Sequence, residues 1–151
     1  IWSQTRKPTS DELNNVKPAP GAGLTTAGLD PRCLVGRVIC ASKSTRKVVW
    51  VVDGVPVMQM DARFGRAELP TNDGAFHIYW KSIDHYSKKY DAPMPYALFF
   101  NGGEAVHYSP EFASIGYSGV GSHGCVNTRD KAKMAWLFNE ARVGDLVVVY
   151  R

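Results

Sequence analysis

Short runs of apolar or alternating residues, separated by turn residues, follow one another along the chain from residue 36 onward. Side chains of a β-strand point alternately to two faces, so this spacing predicts strands rather than helices. The runs lie at residues 38–41, 47–52, 55–60, 75–80, 96–100 and 104–107. Asp-Gly at 53–54 and Asn-Gly-Gly at 101–103 predict hairpin turns, and Pro56 predicts an edge position for the third strand. The polar residues 81–94 predict a long loop.

One later stretch has helical spacing instead. Apolar residues recur through 132–138, Asn127 or Thr128 can serve as the N-cap, and Gly144 can end the element. Residues 145–150 are apolar at most positions, which predicts a central strand buried on both faces. The chain is therefore predicted to form a mainly β domain (β-rich α+β), a sandwich or barrel with one substantial helix.

Composition divides the chain at about residue 28. Residues 1–28 contain repeated prolines and glycines without an apolar period, so we expect a linker or tether there and a folded domain over 29–151. The apolar fraction of 44% is that of a globular protein, and no apolar run approaches the ~20 residues of a membrane span. We expect no transmembrane segment in this chain, and an export signal or anchor that is absent from it.

The distribution of charged residues argues against a nucleic-acid partner. The net charge is +4, but the lysines and arginines are scattered and do not interleave with aromatic residues. Nucleic-acid binding proteins concentrate their basic residues on one face. We therefore expect no nucleic-acid partner.

The three cysteines divide into a pair and a single residue. Cys33 and Cys40 are close in sequence, whereas Cys125 stands apart. One disulfide and one reactive thiol are typical of an exported protein, so we predict a Cys33–Cys40 disulfide. The alternative is three reduced thiols in a cytosolic protein.

The stretch with the clearest chemistry is Ser-His-Gly-Cys-Val-Asn at residues 122–127, which follows a glycine-rich run. A cysteine nucleophile needs a nearby base and free N–H groups to hold an oxyanion. Cys125 is the predicted nucleophile, His107 the predicted base, and the N–H groups of Gly124 and Cys125 the predicted oxyanion donors. Since a helix is predicted to follow, its dipole is expected to favour the thiolate.

His107, fourteen further residues and then Ser122-His123-Gly124-Cys125 together resemble the signature of the L,D-transpeptidases (YkuD-type catalytic domain). Residues 70–76, Pro-Thr-Asn-Asp-Gly-Ala-Phe, are similar to a strand entry of this family. Many members of the family have arginine at the position of Asn127, whereas actinobacterial-type members have asparagine, as this chain does. Tyr108 stands where many members have glycine. The resemblance implies a mixed-sheet β-sandwich or barrel. It also implies a peptidoglycan L,D-transpeptidase that forms 3–3 cross-links through a cysteine acyl-enzyme without a cofactor.

The resemblance also implies roles for single residues. His107 would face the thiol and donate from its other nitrogen to the main-chain carbonyl of Tyr108. His123 would lie close to the site, either positioning the thiol or substrate or serving a structural role, and Ser122 would brace the loop by hydrogen bonding. Asn127 would contact substrate or cap the helix.

Further residues complete the expected site. Tyr96 and Met94 resemble residues that line the donor cleft of the family, although packing in the core explains them as well. His77 is expected to pack in a strand and His85 to lie in an exposed loop.

Two competing motifs are rejected. Residues 119–124 match G-x-G-x-x-G, but no βαβ unit surrounds them, which argues against dinucleotide binding. The spacing of His107, His123 and Cys125 fits no common zinc pattern, so no metal is expected.

The expected partners are peptidoglycan stem peptides as donor and acceptor, with carbapenem β-lactams as inhibitors. The expected location is extracytoplasmic, in the cell wall or secreted. Two other functions remain open: an L,D-carboxypeptidase that uses water as acceptor, and a non-catalytic wall-binding module that retains the fold.

Overall fold

The computed structural model describes residues 24–151, and the strands found there form one curled mixed sheet. They are β1 (Arg37–Ser42), β2 (Lys47–Val52), β3 (Val55–Arg63), β4 (Gly74–His77), β5 (Trp80–Ser87), β6 (Ala92–Asn101), β7 (Glu104–Tyr108), β8 (Val126–Thr128) and β9 (Leu146–Tyr150). The predicted linker, residues 1–28, lies outside the described residues except for 24–28. The mainly β fold with a mixed sheet is confirmed.

The order of strands across the sheet is β4-β9-β1-β2-β3-β8-β7-β6-β5. Two neighbouring pairs, β1 with β9 and β7 with β8, are parallel, and the others are antiparallel. β9 pairs on both sides, which confirms its predicted interior position. The predicted hairpins β2–β3 and β6–β7 are also present.

The described residues contain two α-helices, α1 (Pro110–Ile115) and α2 (Lys131–Glu140), and a 3-10 turn at Pro31–Leu34. The predicted N-cap and end of the long helix are wrong. Asp130 is the N-cap of α2, because its carboxylate accepts the Lys133 N–H, and α2 ends at Glu140 instead of Gly144. Asn127 and Thr128 lie in β8. No helix in residues 24–151 is long and apolar enough to cross a membrane.

The predicted loop at 81–94 is wrong, and the predicted strand at 75–80 is two strands. β5 and β6 form an antiparallel hairpin whose turn lies at residues 88–91. β5 is an edge strand of the sheet and is partly exposed, so polar side chains on its solvent-facing side cost little stability. Its polar composition therefore did not distinguish it from a loop.

Pro56 does not mark an edge strand, because β3 lies between β2 and β8. The proline occurs where the β2–β3 register shifts, after Trp50. β8 pairs only with Ala62 and Arg63 at the other end of β3. The missing N–H of proline is therefore tolerated at an irregular point that β8 does not reach.

Alternation along β2 separates two hydrophobic clusters. Val48 and Trp50 belong to the main core, which also contains Leu137 and Phe138 of α2. Val49 and Val51 belong to a second cluster on the other face of β2, which includes both Cys33 and Cys40. The predicted disulfide is present there, with Cα atoms 5.7 Å apart. It ties the 3-10 turn to β1 on the face of the sheet opposite the main core.

Candidate active site

The parallel pairing of β7 and β8 brings the predicted nucleophile close to the predicted base. His107 lies opposite Asn127 and Val106 opposite Val126, so Cys125, just before β8, is beside Ala105. Side chains two residues apart in a strand share a face. Cys125 and His107 accordingly line the same cavity, which has a volume of about 610 Å³.

Four of the other predicted residues also line this cavity: Ser122, His123, Asn127 and Met94. Tyr96 does not. Its side chain is buried in the main core and packs against Phe138 of α2, with ring centroids 5.8 Å apart. The core-packing explanation therefore applies to Tyr96, while Met94 lies at the cavity.

The loop that carries Cys125 is fixed by its own polar groups. The Ser122 hydroxyl donates to the Cys125 carbonyl at 2.6 Å and accepts the Gly124 N–H at 3.1 Å. Gly124 has φ of 115°, a conformation that other residues rarely adopt. Arg66 donates from its guanidinium to the Gly121 and Ser122 carbonyls. Because the Gly124 N–H already has an acceptor, the Cys125 N–H is the better candidate for an oxyanion donor.

The Cys125 sulfur lies against the start of β7. It donates to the Gly103 carbonyl at 3.6 Å and accepts a hydrogen bond from the Ala105 N–H. Burial raises the pKa of the thiol to about 11; the Ala105 N–H lowers it and the nearby Glu104 carboxylate raises it further. The prediction that a helix dipole favours the Cys125 thiolate is wrong, because Cys125 precedes a strand. At neutral pH the resting group is therefore a protonated thiol.

His107 is almost fully buried at the end of β7 and has one defined tautomer. Its Nδ1 lies 2.6 Å from the Tyr108 carbonyl, which can only accept, so Nδ1 carries the proton. Nε2 is then an acceptor, and the Asn127 amide donates to it at 3.1 Å. The orientation of this amide is fixed in turn, because its oxygen accepts two hydrogen bonds from Arg63.

The environment of His107 also keeps its ring neutral. Burial lowers its pKa to about 4, the hydrogen bond to Tyr108 opposes this, and the positive charges of Arg63 and His85 lower the pKa further. The pair Cys125 and His107 thus rests as thiol and neutral imidazole. The Nε2 lone pair of His107 accepts the Asn127 N–H at rest, and Nε2 can take a proton once Asn127 releases it.

His123 and His85 lie at the other walls of the cavity. The His123 ring stacks on Tyr90 of the β5–β6 hairpin, with centroids 4.0 Å apart and an angle of 11°. His85 is not in an exposed loop: it is partly buried in β5 and meets Trp80 and Phe99 edge-on. Burial lowers the pKa of both histidines. The His123 stack joins the hairpin to the motif loop.

Sequence reasoning missed the charged residues that line the cavity, which are Arg63, Arg66, Lys89, Asp91, Glu104 and Glu111. Arg63 ends an apolar strand and reaches Asn127 and Glu111, a partnership that depends on pairing β3 with β8. Sequence reasoning also missed helix α1. Ser109 followed by Pro110 is a helix-start signal, and the Ser109 hydroxyl accepts the Phe112 N–H. Within residues 24–151 no group of three acidic, histidine or cysteine side chains is arranged to hold a metal.

Alkylation of Cys125 should be slow at neutral pH and rise steeply with pH. The pKa of about 11 leaves few thiolates at pH 7, and each added pH unit should raise the rate about tenfold up to pH ~10. The measurement is the rate of carbamidomethylation by iodoacetamide, followed by intact mass between pH 6 and pH 11. A rate that levels off below pH 8 would contradict this environment for the thiol.

Stability should fall as the solution is acidified from pH 6.5 to about pH 4. In this window the unfolded chain protonates His107 and the native chain does not, so the unfolded state binds more protons. The difference between 6.5 and 4 corresponds to about 3 kcal/mol. Urea unfolding at several pH values measures it, and His107→Ala should lack this part of the loss. Equal acid sensitivity of the two proteins would contradict the expectation.

Comparison with known proteins supports the same assignment. Residues 36–149 match the family model of the L,D-transpeptidase catalytic domain (YkuD). No curated protein sequence matches the chain. The fold is similar to that of an L,D-transpeptidase from Stackebrandtia nassauensis, with a TM-score of 0.69 and 32% identity over 77% of this chain and 56% of that one.

Two further solved structures are similar. One is an L,D-transpeptidase from Mycobacterium smegmatis, with a TM-score of 0.64 and 28% identity over 77% of this chain and 58% of that one. The other is an L,D-transpeptidase in complex with imipenem, with a TM-score of 0.65, 29% identity and the same two coverages. The chain spans a little over half the length of these relatives. The family model covers most of the chain, including both His107 and Cys125, and the chain therefore belongs to the L,D-transpeptidase catalytic domain family.

Proposed function

We propose that this chain is a peptidoglycan L,D-transpeptidase that forms 3–3 cross-links through an acyl-enzyme on Cys125. The observation that carries the proposal is the common cavity of Cys125 and His107, in which His107 has its Nδ1 proton bound to Tyr108 and its Nε2 unprotonated, with the Asn127 amide donating to it at rest. Membership of a family of cysteine-dependent acyltransferases supports the same reaction class.

In the first half-reaction the thiol attacks a carbonyl of the donor stem peptide, between the L-centre of a diamino acid and a terminal D-alanine. Since the pKa of Cys125 lies near 11 and that of His107 near 4, a preformed ion pair is not the resting state. The proton passes to His107 Nε2 as the carbon–sulfur bond forms. The Cys125 N–H is placed to hold the oxyanion, and His107 then protonates the departing D-alanine amine.

In the second half-reaction an amine of a neighbouring stem attacks the thioester. The new carbon–nitrogen bond replaces the carbon–sulfur bond, and His107 Nε2 takes the amine proton and returns it to the Cys125 sulfur. In the resting state Asn127 donates to Nε2 and Arg63 fixes Asn127, so the imidazole is oriented before each half-reaction. Asn127 must release Nε2 when that nitrogen takes a proton. Asn127 is therefore a positioning residue for His107 and does not cap a helix.

The same cavity could use water as the acceptor, which would make the protein an L,D-carboxypeptidase. Product masses from defined tetrapeptide stem fragments separate the functions. A cross-linked dimer that has lost one D-alanine supports transpeptidation, and a tripeptide alone supports carboxypeptidation. A folded protein that yields neither product and leaves its thiol unreacted would be a wall-binding module.

The proposed location is outside the cytoplasm, in the cell wall or secreted. The Cys33–Cys40 disulfide supports it, since such bonds persist in oxidising compartments. The proposed inhibitors are carbapenems, and the similar L,D-transpeptidase solved with imipenem supports this class.

A further inference from the structure

Glu104 holds a carboxylate on the cavity wall beside the nucleophile. Its chain neighbours, Gly103 and Ala105, supply the carbonyl and the N–H that contact the Cys125 sulfur. On the other side, a Cβ built at Gly124 would lie 3.5 Å from a Glu104 carboxylate oxygen. The carboxylate therefore lies near the Cys125 sulfur, and its negative charge raises the pKa of the thiol.

Neutral donors set the direction of this carboxylate. One oxygen accepts from the Asn101 side chain at 3.1 Å, and the other accepts from the Asn72 amide side chain at 3.0 Å and the Asn72 N–H at 3.3 Å. No lysine, arginine or histidine of residues 24–151 forms an ion pair with it. A fixed negative charge without a cationic partner therefore faces the cavity.

Three cationic residues also line the cavity: Arg63, Arg66 and Lys89. Arg63 contacts Asn127 and Glu111, and Arg66 contacts the carbonyls of Gly121 and Ser122. Because Arg63 is paired with Glu111, the charge beside the motif loop that no described carboxylate pairs is that of Arg66, and the unpaired negative charge is that of Glu104 beside the start of β7. Opposite charges on two walls orient a ligand that carries both an anion and a cation.

We propose that Glu104 binds the ammonium group of the acceptor stem peptide and so delivers the attacking amine to the thioester on Cys125. The proposal rests on the proposed transpeptidase function and deepens it, because it assigns the acceptor side of the cavity. An attacking amine must come within ~3–3.5 Å of the thioester carbonyl carbon. Glu104 lies beside the Cys125 sulfur that carries the acyl group. A donor carboxylate, in contrast, is favoured beside Arg66.

The acyl-enzyme is the state in which this carboxylate favours the reaction. The free thiolate is repelled by Glu104, but the thioester sulfur is uncharged, so only the attraction for the ammonium remains. The bound ammonium loses one proton to water, and the neutral amine attacks the thioester. The carbon–nitrogen bond forms, the carbon–sulfur bond breaks, and His107 passes the second amine proton to the sulfur.

The test compares Glu104→Gln with Asp91→Asn as a matched control. Both changes remove one carboxylate from the cavity lining, but Asp91 lies at the turn of the β5–β6 hairpin and is bonded to Tyr86. The measurement is the partition of product between cross-linked dimer and hydrolysed tripeptide as acceptor concentration rises. Glu104→Gln should raise the acceptor concentration needed for half-maximal cross-linking about five- to tenfold, and Glu104→Asp should restore part of the effect.

Salt gives a second signature. Raising the ionic strength from 50 mM to 500 mM should weaken acceptor use by the wild type and leave Glu104→Gln nearly unchanged, because screening acts only on a charge pair. A purely structural role of Glu104 would not produce this difference. Equal losses of donor acylation and acceptor use in Glu104→Gln, or equal salt dependence, would overturn the proposal.

A binding experiment keeps this test separate from the proposed reaction. In the Cys125→Ala background, a stem peptide with a free side-chain amine should bind several-fold more tightly than its N-acetylated form, as measured by calorimetry. Adding Glu104→Gln should abolish that preference. If the preference is absent from Cys125→Ala itself, or survives Glu104→Gln, Glu104 does not bind the ammonium, whatever products the wild type forms.

Discussion

Exposure to a carbapenem should raise the mass of the wild-type chain by one inhibitor molecule, whereas Cys125→Ser should gain none. The β-lactam carbonyl would take the place of the donor carbonyl beside Cys125, and ring opening would leave a thioester. Serine should fail because its hydroxyl has a pKa far above that of a thiol and His107, with a pKa near 4, is a weak base. Intact-protein mass spectrometry measures both results.

The three cysteines provide an internal control for this experiment. Cys33 and Cys40 are joined in a disulfide on the other face of the sheet, so the adduct should map to the peptide that contains Cys125. Circular dichroism of Cys125→Ser should match the wild type. An adduct that persists in Cys125→Ser, or its absence from a folded wild type, would contradict the assignment of the nucleophile.

His107→Ala should lower cross-linking by about 10²- to 10⁴-fold, while His123→Ala should keep partial activity. In the proposed mechanism His107 moves a proton in both half-reactions, and general acid–base groups contribute factors of this size. His123 stacks on Tyr90, so its loss should mainly loosen the contact between the hairpin and the motif loop. The measurement is kcat/KM for dimer formation from defined stem fragments.

Thermal unfolding provides the control for both histidine variants. A Tm near that of the wild type would show that a lost rate reflects chemistry rather than folding. If His123→Ala folds and loses more activity than His107→Ala, the base has been assigned to the wrong histidine.

The sequence specified the central strands and the residues of the motif well, for physical reasons. β1, β2, β7 and β9 have long apolar or alternating runs, and these survive in any mainly β arrangement. Cys125 and His107 were predicted to lie together because a cysteine nucleophile needs a nearby base, and both line one cavity. The parallel register that brings them together was not readable from periodicity, since it depends on which strands become neighbours.

The wrong predictions concern residues whose surroundings are set by parts of the chain distant in sequence. β5 resembled a loop because an edge strand can carry polar residues, and Asn127 resembled a helix cap because asparagine suits both caps and buried networks. Tyr96 was expected either at the donor cleft or in the core, and it packs in the core. Arg63 and Glu104 carry no local signal, because their roles arise from partners 64 residues and 32 residues away.

The position of β9 determines when the chain can fold. β9 inserts between β4 and β1, and it pairs in parallel with a strand more than a hundred residues earlier, with Val38 opposite Leu146. Until residues 146–150 are available, β1 lacks a partner along one edge, β4 has no strand to pair with, and the sheet that carries the nucleophile loop is incomplete. Contacts this distant in sequence make folding slow and leave strand edges exposed to other chains in the meantime. A chain still being synthesised would therefore have an incomplete sheet, open to aggregation, until its last strand is available.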